Sequence, residues 1–168
     1  MLACVIMTTT GCFAQPDPEP TPLFSSEEEA FAAAEKTYRS YVDALNQVDL
    51  SDPETFEEVY AWTTGDLNAS DRKGLSTYHA DGASVDGDSS VQLIAPPPEG
   101  SVLDGDGIAV CLNVSDVVVT DADGNSLVDP DRVAVQSLTV RTVPDDVSPT
   151  GVLISSIGPR EGAPTCEG

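Results

Sequence analysis

Acid–base chemistry at neutral pH calls for a group that titrates there, and the chain holds one histidine, His79, directly after Tyr78 near a predicted helix end. Beside Asp71 or Asp81 it would serve as a general base. Isolated as it is, it reads better as a helix-terminal residue favoured by the negative end of the dipole. Asp121, Asp123, Asn125 and Asp129 offer alternate oxygens of the kind a calcium loop uses, because hard cations need several converging oxygens. Ser126 stands where that loop needs glycine and Arg132 where it needs a bidentate glutamate, so the segment reads as a solvated hairpin turn. Cys111 sits between Val110 and Leu112 with no base close in sequence, a poor setting for a thiolate nucleophile. Phosphate loops, CxxC pairs, HExxH and GxSxG motifs do not occur, so no catalytic residue is assigned and neither a cofactor nor a metal is expected. The rings of Phe31, Tyr38, Tyr41, Phe56, Tyr60, Trp62 and Tyr78 fall mainly on helical stripes, which is how core aromatics are spaced. A ligand pocket, if the fold forms one between helices and sheet, would draw on Tyr38, Tyr41, Tyr60, Trp62, Tyr78 and His79.

The first residues read as an address. Met1 to Met7 are apolar, three threonines follow, and Gly11-Cys12 precede an abrupt turn to Gln, Pro, Asp and Glu. This resembles the signal of bacterial lipoproteins, in which a small residue precedes the cysteine that becomes the lipid-bearing N-terminus. The resemblance implies that residues 1–12 are a signal segment ending at the lipidation cysteine, cleaved just ahead of Cys12, which then carries the lipid, with residence on the extracytoplasmic face of the cell membrane. Two acyl chains would hold where one exchanges, at about 0.8 kcal/mol per buried methylene. Residues 13–24, with Pro16, Pro18, Pro20 and Pro22, read as a polyproline-rich tether, and 25–168 as one domain. No other stretch is long and apolar enough to suggest a span. With Cys4 discarded and Cys12 lipidated, Cys111 and Cys166 remain as a pair that can bridge outside the cytoplasm. Such a bridge would tie the C-terminal tail to a central strand and stabilise by about 3–4 kcal/mol in the loop-closure model.

Seven Lys plus Arg against 29 Asp plus Glu leave a net charge of −22, a field that repels nucleic acids and anionic head groups. Nucleic-acid binding is therefore not expected. With 40% hydrophobic and 5% aromatic residues, the core must be built mainly of aliphatic side chains.

Several elements must position these groups. Ser25-Ser26 before Glu27-Glu28-Glu29 is a capped helix start, and Phe31, Ala34, Tyr38, Tyr41, Val42, Leu45 and Val48 form its apolar stripe. Asp52-Pro53 opens a second, shorter helix bearing Phe56, Val59 and Tyr60, which Gly65 would stop. A third helix, capped within Asn68–Ser70, would run past Leu75 and Tyr78 to Asp81-Gly82. Strands are expected around Val91 and Leu93, over Ile108–Thr120, over Val133–Val143 and over Val152–Ile157. The apolar parity shifts between Val114 and Val117, which predicts a bulge near Ser115-Asp116 and sharp sheet curvature. Helices first and strands afterwards give an α+β fold, with N-terminal helices covering one face of a mainly antiparallel sheet.

This order resembles the nuclear transport factor 2-like superfamily, a cone-shaped α+β fold with a strongly curved sheet, over about residues 25–160. Tyr38–Leu45, Asp52–Phe56 and Asp129–Arg132 look like segments of uncharacterised lipoproteins of high-GC Gram-positive bacteria. The superfamily holds isomerases, cyclases, dehydratases and non-catalytic members, so the fold alone names no reaction. The resulting expectation is a non-enzymatic, lipid-anchored protein that binds a partner protein, a cell-wall component or a small apolar molecule. The alternative is an isomerase or dehydratase using an aspartate or His79 as base. The superfamily also pairs through its sheet, which implies a homodimer as one assembly.

Overall fold

The computed structural model describes residues 23–167. Cys4, Cys12, where lipidation is expected, residues 13–22 of the expected tether and Gly168 lie outside the described residues. Leu23 and Phe24, counted with the tether above, lie against Gly151, and Phe24 packs on the core.

The first helix, α1 (Glu27–Asn46), starts where its cap dictates. Ser26 Oγ accepts the Glu29 N–H at 3.2 Å, while the Glu29 carboxylate takes the N–H and hydroxyl of Ser25 at 2.9 and 2.7 Å. Those two bonds hold the Glu29 carboxyl below its ordinary range. Ala34, Tyr38, Tyr41 and Val42 of the predicted stripe are buried, and Phe31, Leu45 and Val48 pack at its edges. Thr37 is fully buried among them, its hydroxyl donating to the Ala33 carbonyl and meeting Thr150. The Glu27 carboxylate receives Ser101 Oγ and the N–H groups of Val102 and Leu103, pinning the helix start to the 96–107 loop.

Asp52 caps a short 3-10 turn, Pro53–Thr55, which runs into α2 (Phe56–Tyr60) with Phe56, Val59 and Tyr60 buried as the spacing predicts. Gly65 does not stop this helix. With φ at +59° it turns the chain straight into α3 (Gly65–Ala80), a reversal open to glycine because it lacks a Cβ. Asn68 is likewise not the cap but lies in the first turn. Its amide reaches back to the carbonyls of Tyr60 and Thr63 and to Thr63 Oγ1, at 2.9, 3.2 and 3.0 Å. The helix ends at Asp81-Gly82, where Gly82 takes φ +67°.

Six strands follow: β1 (Ser84–Asp86), β2 (Ser90–Ala95), β3 (Ile108–Asn113), β4 (Val118–Thr120), β5 (Val135–Pro144) and β6 (Val152–Pro159). The main sheet is antiparallel in the order β2-β3-β5-β6, and β1 pairs with β4 in a separate two-stranded sheet. The single strand expected over Ile108–Thr120 is therefore two. At Ser115-Asp116 the chain turns, with the Val117 N–H on the Val114 carbonyl at 3.1 Å, and the parity shift marks its passage between sheets. Bulges fall instead between Val91 and Leu93 and opposite Arg141–Thr142. The fold is α+β with a mainly antiparallel sheet, and neither sheet closes into a barrel.

Alternation along β3 divides the core. Ile108, Val110 and Leu112 join the helical cluster with Val140 and Ile154, at about 1.5–3 kcal/mol for each fully buried side chain. Ala109 and Cys111, also buried, face the other way. There the Cys111–Cys166 disulfide crosses 55 residues and holds the C-terminal tail on the central strand. Arg160 fixes the same tail through the carbonyls of Leu138 and Gly162 at 3.2 and 3.0 Å. The outer edge of β6 is closed at Ile154 by residues 62–64, through Ile154 N–H to Trp62 and Thr64 N–H to Ile154, both 2.9 Å.

Candidate functional site

An open apolar cleft of about 170 Å³ lies where the ends of α1 and α3 meet the small sheet. Leu45, Val48 and Leu50 line it from α1 and the turn after it, Leu75 and Tyr78 from α3, and Val85, Val117 and Val119 from β1, β4 and the turn before β4. An apolar cavity of about 150 Å³ accepts a benzene ring, so this volume suits one ring or a short alkyl segment. Tyr78, 38% exposed, brings a phenol to the cleft. Asn46 and Ser89 also border it, and their polar groups satisfy each other: Asn46 Nδ2 donates to the Ser89 carbonyl and Oδ1 accepts its N–H, both at 2.9 Å. Gly87 completes the wall because the chain passes so close to Asp116 that a Cβ would strike its carbonyl oxygen.

The six residues named for a pocket are distributed among several settings. Tyr78 borders the cleft. Tyr38 and Tyr41 are packed in the core with ring centroids 6.3 Å apart, and burial pushes both phenols far above their ordinary range. Tyr60 is buried beneath the Arg72 guanidinium, which lies 4.0 Å from its ring centroid. Trp62 borders a separate hollow beside Ser40 and Glu58. His79 is exposed, with Nδ1 2.7 Å from the Leu50 carbonyl and its ring edge-on to Phe56. Because a carbonyl only accepts, Nδ1 carries the proton in that contact. His79 thus braces the turn after α1.

Asp71 is a second focus. It lies between Leu67 and Leu75 on the inward stripe of α3, four residues from each. Its Oδ1 is 3.4 Å from the Tyr41 hydroxyl, and its Oδ2 is the buried side-chain oxygen or nitrogen among the described residues that has no partner. Burial raises its carboxyl above the usual aspartate range, against the opposing pull of the Thr63 and Tyr41 hydroxyls. A carboxyl in such a setting can hold a proton at a pH where surface aspartates have lost theirs.

The acidic loop spends its oxygens on its own backbone. Asp121 Oδ1 accepts from the N–H groups of Asp123 and Asn125 at 2.9 and 2.8 Å, its Oδ2 takes the Asn125 amide, and Asp129 accepts from Asp131. The Asn125 contacts come first in holding the Asp121 carboxyl below its ordinary range. Thr120 and Ser126 bridge across the turn, forming the hairpin read from the sequence. Among the described residues no three His, Cys, Asp or Glu side chains gather closely enough to hold a metal ion. Cys111 is bonded to Cys166 rather than free.

Two positioning residues escape a reading of sequence. Asn46 meets Ser89 across 43 positions, and Arg132 Nη2 donates to the carbonyls of Val114 and Val117 at 2.9 and 2.7 Å. No local pattern marks either contact. Asp71 carries a usable signal, a carboxylate interrupting an i, i+4 leucine stripe. No helix among the described residues is long and apolar enough to cross a membrane. No family model, curated protein or solved structure matches the chain.

Proposed function

We propose that the chain is a lipid-anchored, extracytoplasmic binding protein that takes a small apolar molecule, without catalysing its conversion, in the cleft between α1, α3 and the small sheet. The cleft carries this reading: a wall of leucines and valines, neighbouring amides already paired, and one phenol offering a hydrogen bond. Its volume favours a small molecule over a partner protein or cell-wall polymer. The net charge of −22 weighs against anionic ligands and leaves apolar ones unaffected. The disulfide supports an oxidising compartment, and Gly11-Cys12 before the proline-rich spacer supports the anchor. Helices laid over one face of an antiparallel sheet support membership of the nuclear transport factor 2-like superfamily, whose pairing through the sheet makes a homodimer part of the proposal.

A titration of the full chain with toluene, followed by methyl resonances, tests the site. Leu50, Leu75, Val85 and Val119 are expected to shift saturably while the exposed Leu93 and Val133 stay in place. Uniform or absent shifts overturn the reading. Intact mass from native membranes tests the anchor, with a diacylglycerol increment at Cys12 expected and an unprocessed chain overturning it. Asp71 favours the alternative of an isomerase or dehydratase, since a carboxyl raised by burial is what a general base or acid in an apolar site requires.

A further inference from the structure

The third helix is attached to the rest of the fold more lightly than its length suggests. None of its 16 residues is fully buried; Leu67 and Leu75 pack only partly against the core, and the position between them on the same stripe is Asp71. A helix held by its apolar face depends on that stripe, and here the middle of the stripe is a carboxyl. Asp71 meets the Tyr41 hydroxyl on α1 with one oxygen and leaves the other buried without a partner. One turn further along, Leu75 and then Tyr78 form the α3 wall of the cleft.

We propose that Asp71 is a proton-operated seat for α3: uncharged, it lets the helix lie on the core and complete the cleft, and charged, it loosens the helix and opens that wall. The surroundings offer a charged Asp71 little compensation. From α1 it faces the phenol of Tyr41, from α2 the phenol of Tyr60, and from the segment between α2 and α3 the hydroxyl of Thr63. Strand β6, against which α3 also packs, carries no titratable side chain. The neighbouring cation, Arg72, is engaged by the Tyr60 ring, the Asn68 amide oxygen and Glu57. The Tyr41 and Thr63 hydroxyls favour the charged form, and burial outweighs them, so the seated carboxyl titrates above the usual aspartate range.

The sign follows from linkage. A group whose pKa is raised in the seated state stabilises that state fully below the released pKa and loses the stabilisation as pH rises through the seated one. The population of seated over released helix therefore falls about tenfold for each unit separating the two pKa values. The consequence for ligand rests on the apolar-cleft reading: affinity declines as pH rises above the ordinary aspartate range, although the ligand itself does not titrate.

Amide exchange of the full chain between about pH 4 and about pH 8, corrected for intrinsic rates, tests the seat against the ordinary aspartate value near 3.9. Protection of α3 relative to α1 is expected to fall as pH rises in the wild type and to stay level in Asp71→Asn. Tyr41→Phe is expected to move the midpoint to higher pH, because the lost hydroxyl favoured the charged form. A level profile in the wild type, or an unchanged decline in Asp71→Asn, overturns the proposal. Toluene titrations at the same pH values separate the two readings. An α3 transition without toluene binding leaves the seat standing and removes the cleft as a site; binding with a level α3 profile does the reverse.

Discussion

At the scale of single residues, the side chains that matter most to the site act on backbone. Arg132 ties two carbonyls, those of Val114 and Val117, at the turn where the chain leaves the main sheet for the small one. Arg132→Met keeps much of the stem and removes the donors, and is expected to lower stability by about 1–3 kcal/mol, read from urea unfolding. Its second expected effect is local: the methyl resonances of Val117 and Val119 should broaden while those of Val140 and Ile154 stay sharp. Contacts of this kind explain what the sequence conveyed at this scale. Ser26, Asp52 and Asp121 bond within four residues of themselves, so type and spacing are enough to find them. Asn46 and Arg132 bond across 43 and 15–18 residues, where only the folded topology brings the partners together. Asp71 belongs between these cases, since its place on a leucine stripe is visible and its missing partner is not.

Among the elements, long periodic segments were readable and punctuation was ambiguous. The stripe of α1 repeats over 20 residues and overrides any single exception. Gly65, by contrast, fits the end of one helix and the start of the next equally well as a residue type, and only its φ of +59° decides. Nothing lies within 4 Å of a Cβ placed there, so the cost of Gly65→Ala is backbone strain alone. The variant is expected to lose about 1–2 kcal/mol, and Gly65→Asn less, since asparagine visits this region more readily. Urea midpoints of the two variants check the order, and equal losses would contradict it. The parity shift after Val114 was likewise visible, but a bulge and a change of sheet leave the same trace in a sequence. The partner strand β1 has three residues and one apolar side chain, too little pattern to announce a second sheet.

For the molecule as a whole, the disulfide is the feature that cysteine counting reached and that the structure contains. Closing 55 residues, it stabilises by about 4 kcal/mol in the unfolded-chain account. Cys166→Ser is expected to lower the urea midpoint by a matching amount, and a reducing agent should bring the wild type to the same curve; a variant as stable as the wild type would show the tail to be dispensable. The α+β order was legible because it depends on element sequence alone, whereas the cleft was not, because it is bounded by a sheet that local pattern did not reveal. That small sheet decides where the chain can change length. The chain leaves the main sheet at Val114 and returns at Ala134, where the Val114 N–H meets the Ala134 carbonyl at 2.8 Å, so the excursion begins and ends at one point. Its residues Val117 and Val119 furnish one wall of the cleft while the main sheet takes no part in that wall. A change of length at the exposed tip of the excursion, Ala122–Asn125, is therefore expected to leave the register of the main sheet unmoved.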